Sequence, residues 1–162
     1  MLSTITGRIG DIRTLTRLLR GAEAAANDDG RELPDVEHLV LSACALPDGT
    51  ARRALRTAGL EPDDLPAAIR RTHNGALGDP SDDGEPTRAA EPRSGPFRAS
   101  AGAQAAVRRI HDLHQGTGGR LRGAHVVLAA SEQAHGTWAR TLAALHVAPD
   151  DVAAAARAQL DP

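Results

Sequence analysis

The sequence predicts an all-α fold made of two four-helix repeats related by pseudo-two-fold symmetry, and three observations carry that prediction. The first is an internal duplication. At an offset of 87 positions the second half lies on the first without a gap: His38 meets His125, Val40-Leu41 meets Val127-Leu128, Gly49-Thr50 meets Gly136-Thr137, and Pro62-Asp63-Asp64 meets Pro149-Asp150-Asp151. Over 38–70, 14 of 33 aligned positions are identical. A period this long marks a duplicated helical unit rather than a short solenoid repeat. The second is composition, rich in the helix formers Ala, Leu, Arg and Glu and without Tyr. The third is spacing, because apolar residues recur at three- and four-residue intervals.

The elements follow in order. Residues 1–11 are polar and Gly-containing and read as a loose lead-in. The first helix is expected from about Thr14 to Asn27, with Leu15, Leu18, Leu19, Ala22 and Ala26 on one face, stopped by Asp28-Asp29-Gly30. A second helix begins near Asp35, whose carboxylate can cap the amides of Glu37 or His38, and ends before Pro47-Asp48-Gly49. Thr50 is the expected N-cap of a third helix running to Ala58 and closed by Gly59. Pro62 opens a fourth, with Asp63 and Asp64 at its positive N-terminal end. In the second half the corresponding helices are expected near Ser100–His114, Ala124–Ser131, Thr137–Leu145 and Pro149–Leu160. The resulting division is a flexible lead-in over 1–13, a first repeat over 14–71, an acidic Pro/Gly-rich linker over 72–95 and a second repeat over 96–162. Each half alone is too small to bury much, so the two are expected to share a core or a broad interface.

Composition narrows the function classes. A net charge of −2 gives no electrostatic footprint for nucleic acid. Every basic side chain is Arg and Lys is absent, a pattern read as coding bias. The single Cys44 forms no internal disulfide and reads as a small buried hydrophobe. Without a charged-then-apolar leader or an apolar run of spanning length, the expectation is a soluble cytoplasmic protein with no membrane partner. The starting Met and the polar ending Asp161-Pro162 read as a natural small protein, with an excised domain as the other possibility.

At this point a family emerges. The turn Asp35-Val36-Glu37-His38-Leu39, then Gly49-Thr50-Ala51, then Ala58-Gly59-Leu60, with Pro96-Phe97 opening the second unit, resemble the motifs of the double Clp repeat that forms the N-terminal domain of Clp-type AAA+ unfoldases. The resemblance covers about 14–160. It implies a Clp N-domain-like fold and adaptor, substrate-peptide or small-molecule binding in the orbit of a Clp unfoldase. ATP hydrolysis is excluded, because there is no Gly-x-x-x-x-Gly-Lys-Ser/Thr loop and no Lys at all.

Candidate binding residues follow from that resemblance. In the family, the Glu of a Gly-Thr-Glu-His turn can take part in recognising phosphorylated arginine, a pairing suited to bidentate contact. Glu37 matches that Glu and His38 its His, while Asp35 and Val36 replace the Gly and Thr; the second repeat has Arg122, Gly123 and Ala124 there, so its Glu is lost. The competing reading makes Asp35 and Glu37 first-turn residues favoured by the helix dipole. His38 and His125, at equivalent positions, read as structural histidines whose rings hydrogen-bond across a helix start. Phe97 matches the Phe before the family's second repeat, near the surface where some members bind cyclic-peptide antibiotics and adaptors; alternatively it staples a helix entry. Trp138 replaces Ala51 of the first repeat and is expected to be partly exposed as an interface anchor, the alternative being a reshaped core.

Catalysis and metal binding find little support. His111, His114, His125 and His135 cluster in the second half, yet no third ligand accompanies the His-x-x-His pair at suitable spacing, so no metal site and no cofactor are expected. Ser42, Ser100 and Ser131 suggest no triad. The sequence thus points to a non-catalytic binding protein acting through the groove between the repeats, near Glu37 and Phe97. Its expected partners are Clp unfoldase or protease components, adaptor or substrate peptides, and Clp-targeting cyclic peptides. The alternative is a structural accessory subunit docking on the Clp protease ring, and a weaker third is a His-based metalloprotein.

Overall fold

The computed structural model describes residues 2–76 and 97–161, with side chains over 8–75 and 97–161. Among them are eight α-helices and no strand: α1 Leu2–Asp28, α2 Val36–Cys44, α3 Thr50–Thr57, a 3-10 turn Pro62–Asp64 leading into α4 Leu65–Ala76, then α5 Ala101–Thr117, α6 Gly123–Ser131, α7 Thr137–Ala144 and α8 Pro149–Leu160. The duplication is visible in the bounds. The ends of α2 and α6 match at the sequence offset, as do those of α3 and α7. It is visible in the backbone too. Gly49 and Gly136, at matching positions, both have positive φ, 67° and 101°. Gly59 at φ 85° closes α3, and its counterpart His146 holds φ 56° to close α7, a left-handed conformation that disfavours a side chain.

Two expectations about element bounds are corrected. The lead-in 1–13 is not loose, because α1 already begins at Leu2. Gly7 and Gly10 weaken a helix there by only about 1 kcal/mol each, and no proline interrupts it. The stretch is tied down by Asp11, whose carboxylate accepts the Leu121 amide at 2.8 Å and lies 3.3 Å from His114 Nε2. α5 starts at Ala101, which the repeat offset matches to Thr14, whereas α1 starts at Leu2; the positions matching 2–9 lie outside the described residues. Of the linker expected over 72–95, residues 72–76 form the last turn of α4, and the remainder lies outside the described residues.

The repeats interpenetrate. α2 and α6 pack against each other at the centre, and every residue of α6 is buried. Around them α3 of the first repeat packs on α8 of the second, while α4 of the first packs on α7 of the second. One contiguous core draws Leu39, Leu55 and Ile69 from one half and Val127, Leu142 and Val152 from the other. The expectation of a shared core therefore holds.

The start of α6 shows how the halves are fastened. In the first repeat Asp35 caps α2, accepting the Val36 amide at 2.8 Å, and the matching position in the second is Arg122, which carries no acceptor. The missing acceptor comes from the other repeat. Asp48 accepts the Gly123 amide at 3.2 Å and the Thr50 amide at 2.9 Å. Thr50, expected to be the N-cap of α3, is instead its first helical residue, with Gly49 at the cap. Its hydroxyl donates to Asp48 and accepts the Ala124 amide at 2.9 Å. Gly123 makes this approach possible, because a Cβ there would sit 2.9 Å from Ala51 Cβ and 3.1 Å from Ala43 O.

This arrangement makes a quantitative prediction. Asp48→Ala strips an acceptor from two helix starts and should cost about 1–3 kcal/mol. Gly123→Ala forces α6 away from α3 and should cost a similar amount, about 1–3 kcal/mol, by overpacking. Urea unfolding of the two variants against the wild type reads both values; a loss below the error of the measurement in both would remove the fastening role.

Candidate binding site

The α2 N-terminus gathers more polar chemistry than any other part of the described structure. Asp35 Oδ1 accepts the Val36 amide and the Ser100 hydroxyl, the latter at 2.6 Å from the start of α5, so its carboxylate holds two helix starts together. His38 turns its ring back so that Nδ1 accepts the Asp35 amide at 2.9 Å. His125 repeats the arrangement in the second half, accepting the Arg122 amide at 3.0 Å. The structural role read from the sequence for both histidines is thus the one the geometry shows. A nitrogen that accepts an amide hydrogen carries no proton, so each ring presents Nε2–H outward. His38 directs it at Asp29 Oδ2, 3.3 Å away, and His125 at the Thr117 hydroxyl, 2.9 Å away.

Glu37 does not lie on an open surface. It is 1 % exposed, and its Oε1 accepts from His73 Nε2 at 2.8 Å. The other ring nitrogen of His73 lies 2.6 Å from Asp29 Oδ2, off the line of its N–H. Asp29, Glu37, His38 and His73 therefore form one largely buried polar cluster joining the end of α1, the start of α2 and the end of α4. An unpartnered carboxylate at such depth is costly, and His73 meets Glu37 Oε1, while Glu37 Oε2 has no hydrogen-bond partner among the described residues. His73 and Asp29 were not singled out from the sequence. The signal was present in His73, which continues the stripe Leu65, Ile69 at four-residue spacing.

The remaining candidates are buried to different degrees. Trp138 is 1 % exposed and packed in the core, which overturns the expectation of an exposed anchor. The ring belongs to the core that the two repeats share, and the indole Nε1 has no hydrogen-bond partner among the described residues. Phe97 is half-buried and packs against the core just before the Ser100 cap. Asp35, Glu37 and His38 are brought together, with Asp35 reaching Ser100, but as helix-start and core chemistry. In the second half His114 and His125 meet edge to face at 5.7 Å, while His111 and His135 are exposed. No group of three or more His, Cys, Asp or Glu among the described residues is arranged to hold a metal ion.

A concave surface does exist within the first repeat. A cleft of about 350 Å³ runs between the end of α1, the C-terminal half of α2 and the start of α4. Its floor is apolar, made by Ala25, Leu41, Cys44, Pro66 and Ile69, with the exposed Ala45 at its mouth, and its rim carries Asp28, Asp29, Arg52, Asp63 and Arg70. Arg52 and Asp63 pair across the rim at 2.7 Å, which holds the Asp63 carboxyl below the usual carboxylate range. Burial pushes the Cys44 thiol up to about 11, against the opposing pull of Arg52. The thiol is therefore protonated at neutral pH and a weak nucleophile. Asp29 belongs both to the rim of the cleft and to the buried cluster.

No family model matches the sequence, and no curated protein resembles it in sequence. Among solved structures the chain is similar to the N-terminal domain of Hsp104 from Candida albicans, over 88 % of this chain and 85 % of that one, with a TM-score of 0.57 and 15 % identity. At that identity the likeness is one of fold, and it establishes a Clp/Hsp100 N-terminal-domain-like fold for this chain.

One pH dependence follows from the geometry. Burial, as the largest cause, lowers the His125 imidazole below its ordinary 6.5, with the neighbouring His114 acting in the same direction and the backbone of Arg122 opposing it. In the window below 6.5 the unfolded chain then holds more protons than the folded one, so the contribution of His125 is complete above that value and is lost as the pH falls through the folded pKa. His125→Asn keeps a neutral acceptor near Nδ1. Its stability relative to wild type should improve steadily between about pH 7 and pH 5 in urea titrations; a wild-type advantage that grows on acidification would contradict the assignment.

Proposed function

We propose that this chain is a non-catalytic binding protein of the Clp N-domain type, which captures peptide segments or adaptors and modulates or protects a Clp unfoldase or protease. The observation that carries the proposal is the cleft of the first repeat, on a fold shared with an Hsp104 N-terminal domain. An apolar floor bounded by charges of both signs suits an apolar side chain from an extended segment whose polar neighbours meet the rim. The groove near Glu37 is not the place for it, because Glu37 is sealed against His73 and Asp35 is engaged with Ser100. Phosphoarginine recognition through Glu37 would require breaking the buried cluster. Phe97, half-buried beside the Ser100 cap, remains the residue through which a Clp-targeting cyclic peptide would be recognised.

Calorimetric titration separates these surfaces. An unstructured apolar peptide and a Clp-targeting cyclic peptide are each titrated into wild type, Ala45→Trp, which plugs the cleft mouth from an exposed position, and Phe97→Ala. The expected result is micromolar binding of the linear peptide, weakened at least about tenfold (about 1.4 kcal/mol) by Ala45→Trp, and weakening of the cyclic peptide by Phe97→Ala. No binding of either ligand to folded wild type would end this reading.

A further inference from the structure

Over 8–13, the part of the N-terminal segment of α1 whose side chains are described, no residue belongs to the shared core. The sequence of that segment places Leu2, Ile5, Ile9, Ile12 and Thr16 at alternating three- and four-residue intervals, which in a helix line up as one narrow seam. Ile9 is 49 % exposed and Ile12 64 %, two of the three large apolar residues of the described structure left this open. Asp11, the residue that ties this segment to the turn before α6, lies on the other side of the helix, so Ile9 and Ile12 face away from the body. Beyond Thr16 the apolar stripe turns inward, and Leu18 is fully buried.

The flanks of the seam have one sign. Arg8 borders it on one side and Arg13 and Arg17 on the other, all exposed, and no carboxylate among the described residues pairs with any of them. Two copies of this helix laid side by side would set Arg8 and Arg13 against one another, whichever way the helices ran. Pairing with a second copy is thus disfavoured by charge. A wide apolar face suited to a bilayer surface is also missing, since Arg8 and Arg13 border the seam directly on its two sides. We propose that the N-terminal extension of α1 is a docking helix for a partner α-helix whose apolar a and d positions are flanked by Glu or Asp. The partner's side chains would fill the spaces between Ile9 and Ile12, and its carboxylates would face Arg8, Arg13 and Arg17. This surface is separate from the first-repeat cleft, and its test succeeds or fails independently of peptide capture there.

The test uses the full chain and two synthetic helices with the same Leu/Ile seam, one flanked by Glu and one by Lys, followed by fluorescence anisotropy. The Glu-flanked helix should bind and weaken as salt rises, at least tenfold more tightly than the Lys-flanked one, and Ile9→Asp/Ile12→Asp should abolish it without altering the far-ultraviolet spectrum. Equal binding of both helices, or none, overturns the proposal. So does binding to vesicles of anionic phosphatidylglycerol without binding to the Glu-flanked helix, which would make the extension a membrane-surface helix. Sedimentation showing a wild-type dimer that Ile12→Asp dissociates would overturn it in favour of self-pairing.

Discussion

The fold depends on the start of α6 being capped from the other repeat. A helix that begins in the middle of a core exposes backbone amides that must find acceptors, and the second repeat has Arg122 where the first has Asp35. Asp48 and Thr50 supply the acceptors, and Gly123 allows the two helix starts to approach closely enough for them to reach. Because α6 is buried along its whole length and contacts α2, α3, α5 and α8, whatever fixes its start fixes the relation of the two halves. The exchange of partners, α3 with α8 and α4 with α7, then leaves neither repeat with a complete set of neighbours of its own.

The same α2 helix that receives no help from the second repeat's acid is surrounded by its own polar cluster. Asp35 binds its helix start to that of α5, while Glu37 and His38 face inward to His73 and Asp29. A turn that the sequence offers as a ligand pocket has become a joint between helices. The concave surface of the first repeat lies beside this joint rather than in it, and Asp29 belongs to both.

Much of this was legible in the sequence. The offset duplication gave the helix order and the bounds of α2, α3, α6, α7 and α8, because period and caps are local signals. The ring-to-amide bonds of His38 and His125 could be read from their equivalence. Trp138 could not be placed, since a bulky side chain at a small position is resolved only by what packs against it, here the core shared by both repeats. Glu37 was misplaced for a related reason: its partner His73 lies in a stretch whose Asn, Gly, Pro and Asp neighbours suggest a linker, although its own spacing extends α4. The helical start at Leu2 was missed because glycines at 7 and 10 weaken a helix without ending it.

The account stands on the two repeats forming one cooperative unit. The most direct measurement is equilibrium urea unfolding followed at once by Trp138 fluorescence, which reports α7 of the second repeat, and by far-ultraviolet ellipticity, which reports all helices. Coincident transitions with a single midpoint are the expected result. Two separated transitions, with the tryptophan signal following only one of them, would show that the repeats fold independently and would contradict the account.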